Sequence, residues 1–112
     1  MFGPGSAEIN DEMKGVLEQI AKFINASAYQ VYIDGHTDSV PIKNAMYSSN
    51  EDLSLARALN IMNHFVTEED IAKDIIAVTG YGEHRPAYPN NTAADMTNNR
   101  RVEMIFKNKR YF

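Results

Sequence analysis

The chain contains no cysteine. That excludes disulfides, thiolate nucleophiles and thiolate metal sites, and it leaves the compartment open between a reducing cytosol and an envelope that does without disulfides. No apolar run approaches the roughly 20 residues that a membrane-spanning helix requires, and no signal peptide is visible. A basic surplus is also missing: 11 Lys and Arg against 15 Asp and Glu leave a net charge of −4, the wrong sign for a general polyanion binder. Basic residues gather only near the end, in NNRRVEMIFKNKRYF, where a solvated strand face accounts for them as well as a binding patch does. No nucleic-acid partner is expected.

What is present suits a folded protein. The 112 residues are 44% hydrophobic and 23% charged, enough for one domain over 1–112 with its own core. Asn10 precedes DEMKGVLEQIAKFINAS, where Met13, Val16, Leu17, Ile20, Phe23 and Ile24 recur at three and four and predict an amphipathic helix. YQVYIDG alternates at period two and reads as a strand ended by Gly35. A long polar loop, HTDSVPIKNAMYSSN, follows, and loops of this length in compact domains are often functional. A second helix is predicted from Ser49 or Asn50, with Asp52 completing a capping box and Leu55, Leu59, Met62 and Phe65 as its core-facing stripe. TEEDIAKD reads as a separate helical turn capped by Thr67, IIAVTGYG as a strand, Ala93 to Asn98 as a turn of helix, and RRVEMIF as a last strand with Val102, Met104 and Phe106 on one face. Met1 and Phe2 could end a clipped strand. The expected fold class is α+β, a two-layer α/β sandwich with a mixed β-sheet and both helices packed on one face.

The polar residues narrow the chemistry. His36, His64 and His84 lack the spacing of a zinc site, so no metal and no cofactor are expected. There is no nucleophile elbow beside Ser39. Asp34, Asp38 and Glu83 could form a carboxylate pair of the glycosidase kind, but any acidic protein offers such pairs. The recognition reading is stronger. Asp38 lies just past a strand end set by Gly35, and Arg57 lies on the second helix between Ala56 and Ala58. With the helix N-terminus near Asn50 and Leu53, they suit a ligand carrying an ammonium and a carboxylate close together. An internal Asp38–Arg57 salt bridge serving only the fold is the competing possibility.

IDGHTD, NEDLSLARA, GYGEHRP and NNRRVEM, in this order and spacing, resemble the OmpA-like peptidoglycan-binding domains over nearly the whole chain. GHTDSVPI, the long loop before SSNEDLSLARA, and YPNNT are most similar to the flagellar-stator members. The resemblance implies a non-catalytic domain that grips the diaminopimelate residue of the peptide stem through Asp38 and Arg57. It adds Asn50, the amide at Leu53, and one arginine of NRRV as ligand contacts, with Arg101 expected nearer the groove than Arg100. Gly35, His36 and Thr37 are expected to shape the loop and Asn99 to brace it. A stator assignment further implies a periplasmic domain, usually homodimeric, at the C-terminal end of a longer single-pass inner-membrane protein that pairs with a stator channel partner. Two positions depart from the pattern: Glu51 stands where stator members commonly carry Trp, and Met96 where the family often carries Arg.

Overall fold

Asn10 starts the first helix by accepting the Met13 amide on its side-chain oxygen at 2.8 Å, and Asp11 and Glu12 sit in the first turn, where the helix dipole favours negative charge. In the computed structural model, which describes residues 2–26, 29–42, 44 and 46–108, this helix is α1 (Asp11–Asn25). It is followed by β1 (Tyr29–Gly35), α2 (Asn50–Glu68), a 3-10 turn (Lys73–Ile75), β2 (Ile76–Gly80), α3 (Ala93–Asn99) and β3 (Val102–Asn108). The strands form one mixed sheet in the order β2-β1-β3, with β1 parallel to β2 and antiparallel to β3. Phe2 is buried and donates its amide to the Arg100 carbonyl at 3.3 Å, but lies in no strand; Met1 lies outside the described residues, as do the last four residues of the basic cluster.

Helices α1 and α2 both pack on the face that carries Val31 and Ile33, which are fully enclosed. Leu17, Ala21 and Ile24 of α1 and Ala58, Ile61, Met62 and Phe65 of α2 close over them. The predicted stripes are partly out of phase. Leu55 is 37% exposed, because the buried line of α2 runs through Leu53, Ser54, Arg57, Ala58 and Ile61, one position to its side. On α1, Val16 and Phe23 flank the buried line and stay half exposed; Phe23 stacks on Tyr29 (5.5 Å) and meets Phe106 edge-on (5.3 Å). The opposite sheet face carries Tyr32, Asp34, Glu103, Ile105 and Lys107, with the Lys107 amine 4.9 Å from the Tyr32 ring centre.

Two boundaries of α2 also differ from expectation. Ser49 caps the helix by accepting the Asp52 amide at 3.1 Å, but the Asp52 carboxylate takes the Ser48 hydroxyl instead of closing a capping box. Thr67 is no cap. It lies inside α2 and its hydroxyl donates to the Asn63 carbonyl at 2.7 Å, the back-bond a helical threonine makes when its neighbours remain helical. The helix stops where Asp70 takes a left-handed conformation, φ 56°, letting the Ile71 amide reach the Phe65 carbonyl at 3.0 Å.

What positions the loops is a close approach between α2 and the strand ends. Gly35 of β1 and Gly80 of β2 are paired in the sheet. A Cβ on Gly35 would fall 1.9 Å from the Ser54 carbonyl oxygen, and one on Gly80 would fall 2.6 Å from the Leu55 nitrogen. Only hydrogen at both positions lets the first turns of α2 rest on the sheet, which brings Asn50, Leu53 and Arg57 beside the exit of β1. Gly35→Ala should therefore destabilise the fold by more than about 3 kcal/mol. Gly15→Ala, in mid-helix with nothing within 4 Å of the added methyl, should stabilise it by about 0.5–1 kcal/mol. Urea denaturation of the two variants gives the comparison; equal effects would contradict the close-approach account.

Candidate functional site

Beyond Gly35 the chain turns through His36, Thr37 and Asp38, all buried. The Thr37 amide donates to the Gly82 carbonyl at 2.9 Å, and its hydroxyl to the Asp38 carbonyl at 2.8 Å. One Asp38 carboxylate oxygen accepts the Val40 amide at 3.1 Å, which closes a local turn. The other accepts from Arg100 at 2.8 Å. Asp38 and Arg100 line a cleft of about 420 Å³. Its polar wall adds Thr37, Asn44, Asn50 and Arg57, and its apolar side is Pro4, Val40, Pro41, Ile42, Leu53 and Met96.

Arg57 reaches this site but does not face outward. Its side chain is fully buried. Nε donates to the Ser6 carbonyl at 2.8 Å and the two terminal nitrogens to His36 at 2.9 Å and Gly3 at 3.0 Å, while the guanidinium carbon lies 4.9 Å from the centre of the Phe2 ring. Burial pulls its pKa down and the nearby Asp38 carboxylate offsets part of this, leaving it at about 10, so it stays cationic at neutral pH. The internal Asp38–Arg57 salt bridge considered from spacing is replaced by an Asp38–Arg100 pair, with Arg57 behind it on three carbonyls.

The two NRRV arginines occupy the reverse of the expected positions. Arg100 lines the cleft and donates to Asp38, to the Phe2 carbonyl (3.0 Å) and to the Thr97 hydroxyl (2.9 Å). Arg101 turns to the other side, pairing with Glu103 at 2.6 Å and donating to the Arg85 carbonyl at 3.0 Å. Strand parity carried this signal: Arg100 shares the phase of Val102, Met104 and Phe106, the helix-facing residues, and Arg101 does not.

Asn50 and Leu53 both line the cleft. The Asn50 amide nitrogen donates to the Val40 carbonyl at 3.3 Å, and its side-chain oxygen is buried without a partner among the described residues. The Leu53 amide is committed to the Ser49 carbonyl at 3.1 Å, so Leu53 offers the cleft its side chain rather than its N–H. Asn99, fully enclosed, accepts the Ala87 and Tyr88 amides at 2.9 and 3.1 Å and donates to the Tyr88 carbonyl and the Asn90 side chain. It thereby ties the 87–90 loop to α3.

The remaining candidates lie elsewhere. Glu83 is exposed and lines no part of the cleft, so it forms no carboxylate pair there with Asp38. Glu51 pairs with His84 at 2.6 Å beside Gly82; a hydrogen bond to its own backbone, then His84, hold its carboxyl below the ordinary range. Burial raises the pKa of Asp34, with Glu103 adding to the effect. Among the described residues, no group of three or more His, Asp or Glu is placed to hold a metal ion.

The buried Asp38 carboxylate and the half-buried Arg100 guanidinium thus stand side by side at the mouth of a small α+β sandwich, flanked by an apolar lip. The OmpA family matches residues 1–100, and the chain belongs to that family. It is 34% identical over 105 residues to motility protein B of Bacillus subtilis, covering 93% of this chain and 40% of that protein. The chain therefore spans less than half the length of that relative. Its fold superposes on the C-terminal domain of Helicobacter pylori MotB with a TM-score of 0.86 at 26% identity, covering 96% of this chain and 81% of that one. It also superposes on the cell wall anchor of the Pseudomonas aeruginosa T6SS with a TM-score of 0.80 at 32% identity, covering 93% and 72%.

His36 carries a pH prediction for the fold. Burial first, then Arg101, lowers its pKa from the ordinary 6.5. A base whose folded pKa is depressed binds fewer protons folded than unfolded, so its contribution is complete above about 6.5 and is lost as pH falls toward the folded value. The gap in urea midpoint between wild type and His36→Phe should therefore shift in favour of the variant between pH 7.5 and 5. A gap constant across that range would contradict this.

Proposed function

We propose that the cleft binds the peptide stem of peptidoglycan by its diaminopimelate residue, and that the chain anchors a flagellar stator complex to the cell wall. The observation that carries this reading is the Asp38–Arg100 pair at 2.8 Å in the cleft. A group bearing an ammonium and a carboxylate on one carbon satisfies both partners at once: its ammonium replaces the guanidinium on Asp38, and its carboxylate receives the Arg100 donors. No charge is left unpaired in the exchange, which is the condition for partly buried charges to be used in binding without a large desolvation cost. The unpartnered Asn50 oxygen accepts one further N–H. The methylene chain of diaminopimelate lies against Val40, Pro41, Ile42 and Met96. Arg57 sets the potential and holds the loop from behind; Arg101 has no direct part in this arrangement.

The stator assignment draws support from the likeness to motility protein B and the H. pylori MotB domain. It carries with it a periplasmic location, attachment to the inner membrane through a longer chain, a MotA-type channel partner and a homodimer. A tether for another envelope system, of the OmpA/Pal outer-membrane or secretion-system kind, is the second reading, favoured by the likeness to the T6SS wall anchor. Loss of swimming on deletion of the gene separates the two.

Sedimentation with insoluble peptidoglycan tests the binding itself. Asp38→Asn and Arg100→Gln each remove one charge-assisted contact and should weaken pelleting by roughly ten- to a hundredfold. Arg57→Ala should abolish it while also lowering the urea midpoint. Undiminished pelleting by the Asp38 and Arg100 variants would overturn the clamp.

A further inference from the structure

His36 is a buried side chain at the site with both of its polar atoms idle among the described residues. It is 3% exposed, and neither ring nitrogen has a hydrogen-bond partner among the described residues. Its ring stacks on Tyr81, with centroids 5.4 Å apart and planes inclined by 15°. Its backbone is committed on both sides: the amide donates to the Arg101 carbonyl at 2.9 Å, and the carbonyl accepts from Arg57 at 2.9 Å. Two residues on stands Asp38, and adjacent to Arg101 stands Arg100, the two halves of the cleft pair.

The charged and titratable groups around the ring come from each neighbouring segment. Glu103 of β3 lies 3.9 Å from Nε2, but its carboxylate is already engaged by Arg101 at 2.6 Å. Tyr81 and Arg85 come from the loop after β2, with the Arg85 guanidinium 4.2 Å from the Tyr81 ring centre. Asp34, two residues back on β1, has Glu103 and Arg85 as its charged neighbours. Arg57 of α2 meets the His36 carbonyl.

We propose that His36 is a positioning residue that makes ligand capture depend on pH: neutral, it packs under Tyr81 and holds the Asp38 turn; protonated, it releases that turn. This rests on the peptidoglycan-binding reading above. The neutral ring leaves only one N–H and one acceptor unpaired, a cost that its stack on Tyr81 offsets in part. An imidazolium has two N–H donors to satisfy among two arginines and one occupied carboxylate. It must draw Glu103 from Arg101 or swing out from beneath Tyr81. Either movement strains the His36 amide to Arg101 and the His36 carbonyl to Arg57, the bonds that aim Asp38 and Arg100 into the cleft. Burial and the two arginines place the transition below the ordinary histidine range, so capture is intact at neutral pH and fails in mildly acidic conditions.

The test has two arms. Pelleting with peptidoglycan is measured at pH 7.5 and pH 5 for wild type and His36→Phe, and the readout is the ratio within each protein, not its level. Wild type should lose at least about tenfold in affinity, and the phenylalanine variant should be flat. In parallel, NMR follows the His36 ring and the Thr37, Asp38 and Arg57 Nε–H signals of the wild-type protein without ligand; all should move with one midpoint. Equal pH ratios in the two proteins, or loop signals that ignore the His36 midpoint, would overturn the proposal. Absence of pelleting by wild type at pH 7.5 would instead overturn the binding reading, and the NMR arm would then decide the positioning role alone.

Discussion

The buried guanidinium of Arg57 is the interaction on which the rest of the site depends. Taking such a group out of water costs several kcal/mol unless its donors are satisfied. Here they are satisfied by the carbonyls of Gly3, Ser6 and His36, from two parts of the chain far apart in sequence. The same helix adds Asn60, which donates to the Ala7 carbonyl at 2.8 Å. Helix α2 thus fastens the segment before α1 and the exit of β1 to one another. The glycine pair beneath its first turns makes the approach possible. A neutral residue at 57 would take the guanidinium donors from the Ser6 and His36 carbonyls and leave the Gly3 carbonyl with the Ser6 amide alone, at 3.2 Å.

With Arg57 occupied in this way, Asp38 turns to Arg100. The result is a division of labour between two cations near one carboxylate. One is enclosed, fixed by backbone acceptors and tilted over an aromatic ring. The other sits at the wall of an open cleft, bound through one side-chain carboxylate, one hydroxyl and one carbonyl. The enclosed cation sets geometry and potential, and the one at the wall can exchange partners. Met96, where the family often carries arginine, leaves the lip beside this pair apolar, which suits the methylene part of a ligand more than a second carboxylate.

Much of this was legible in the residue pattern, and the parts that were not have identifiable causes. The Asn10 cap, the period-two alternation of β1 and β3, and the glycine after each of β1 and β2's cores gave the elements their type and order. The α2 stripe was misphased because Leu55 and Leu59 attract attention as large apolar residues, whereas the buried line runs through Ser54, Arg57 and Ala58. Small and charged residues carry it because the sheet ends are glycines and the acceptors are carbonyls. Backbone carbonyls have no sequence signature, so the Arg57 network could not be read from side-chain types. Thr67 resembled a cap because a threonine ahead of acidic residues is the usual cap pattern; the helix continued through it because Phe65 and Val66 still had core to pack against. The exchange of Arg100 for Arg101 follows from strand parity, available in the sequence once Val102 is set facing the helices.

The most direct measurement is a crystal structure of the chain with a diaminopimelate-containing stem peptide. The account predicts the ligand ammonium within about 3 Å of the Asp38 carboxylate, the ligand carboxylate on Arg100, the Asp38–Arg100 bond opened, and the Arg57 bonds to Gly3, Ser6 and His36 retained. A peptide seated outside this cleft, or seated within it with the Asp38–Arg100 pair unbroken, would contradict it.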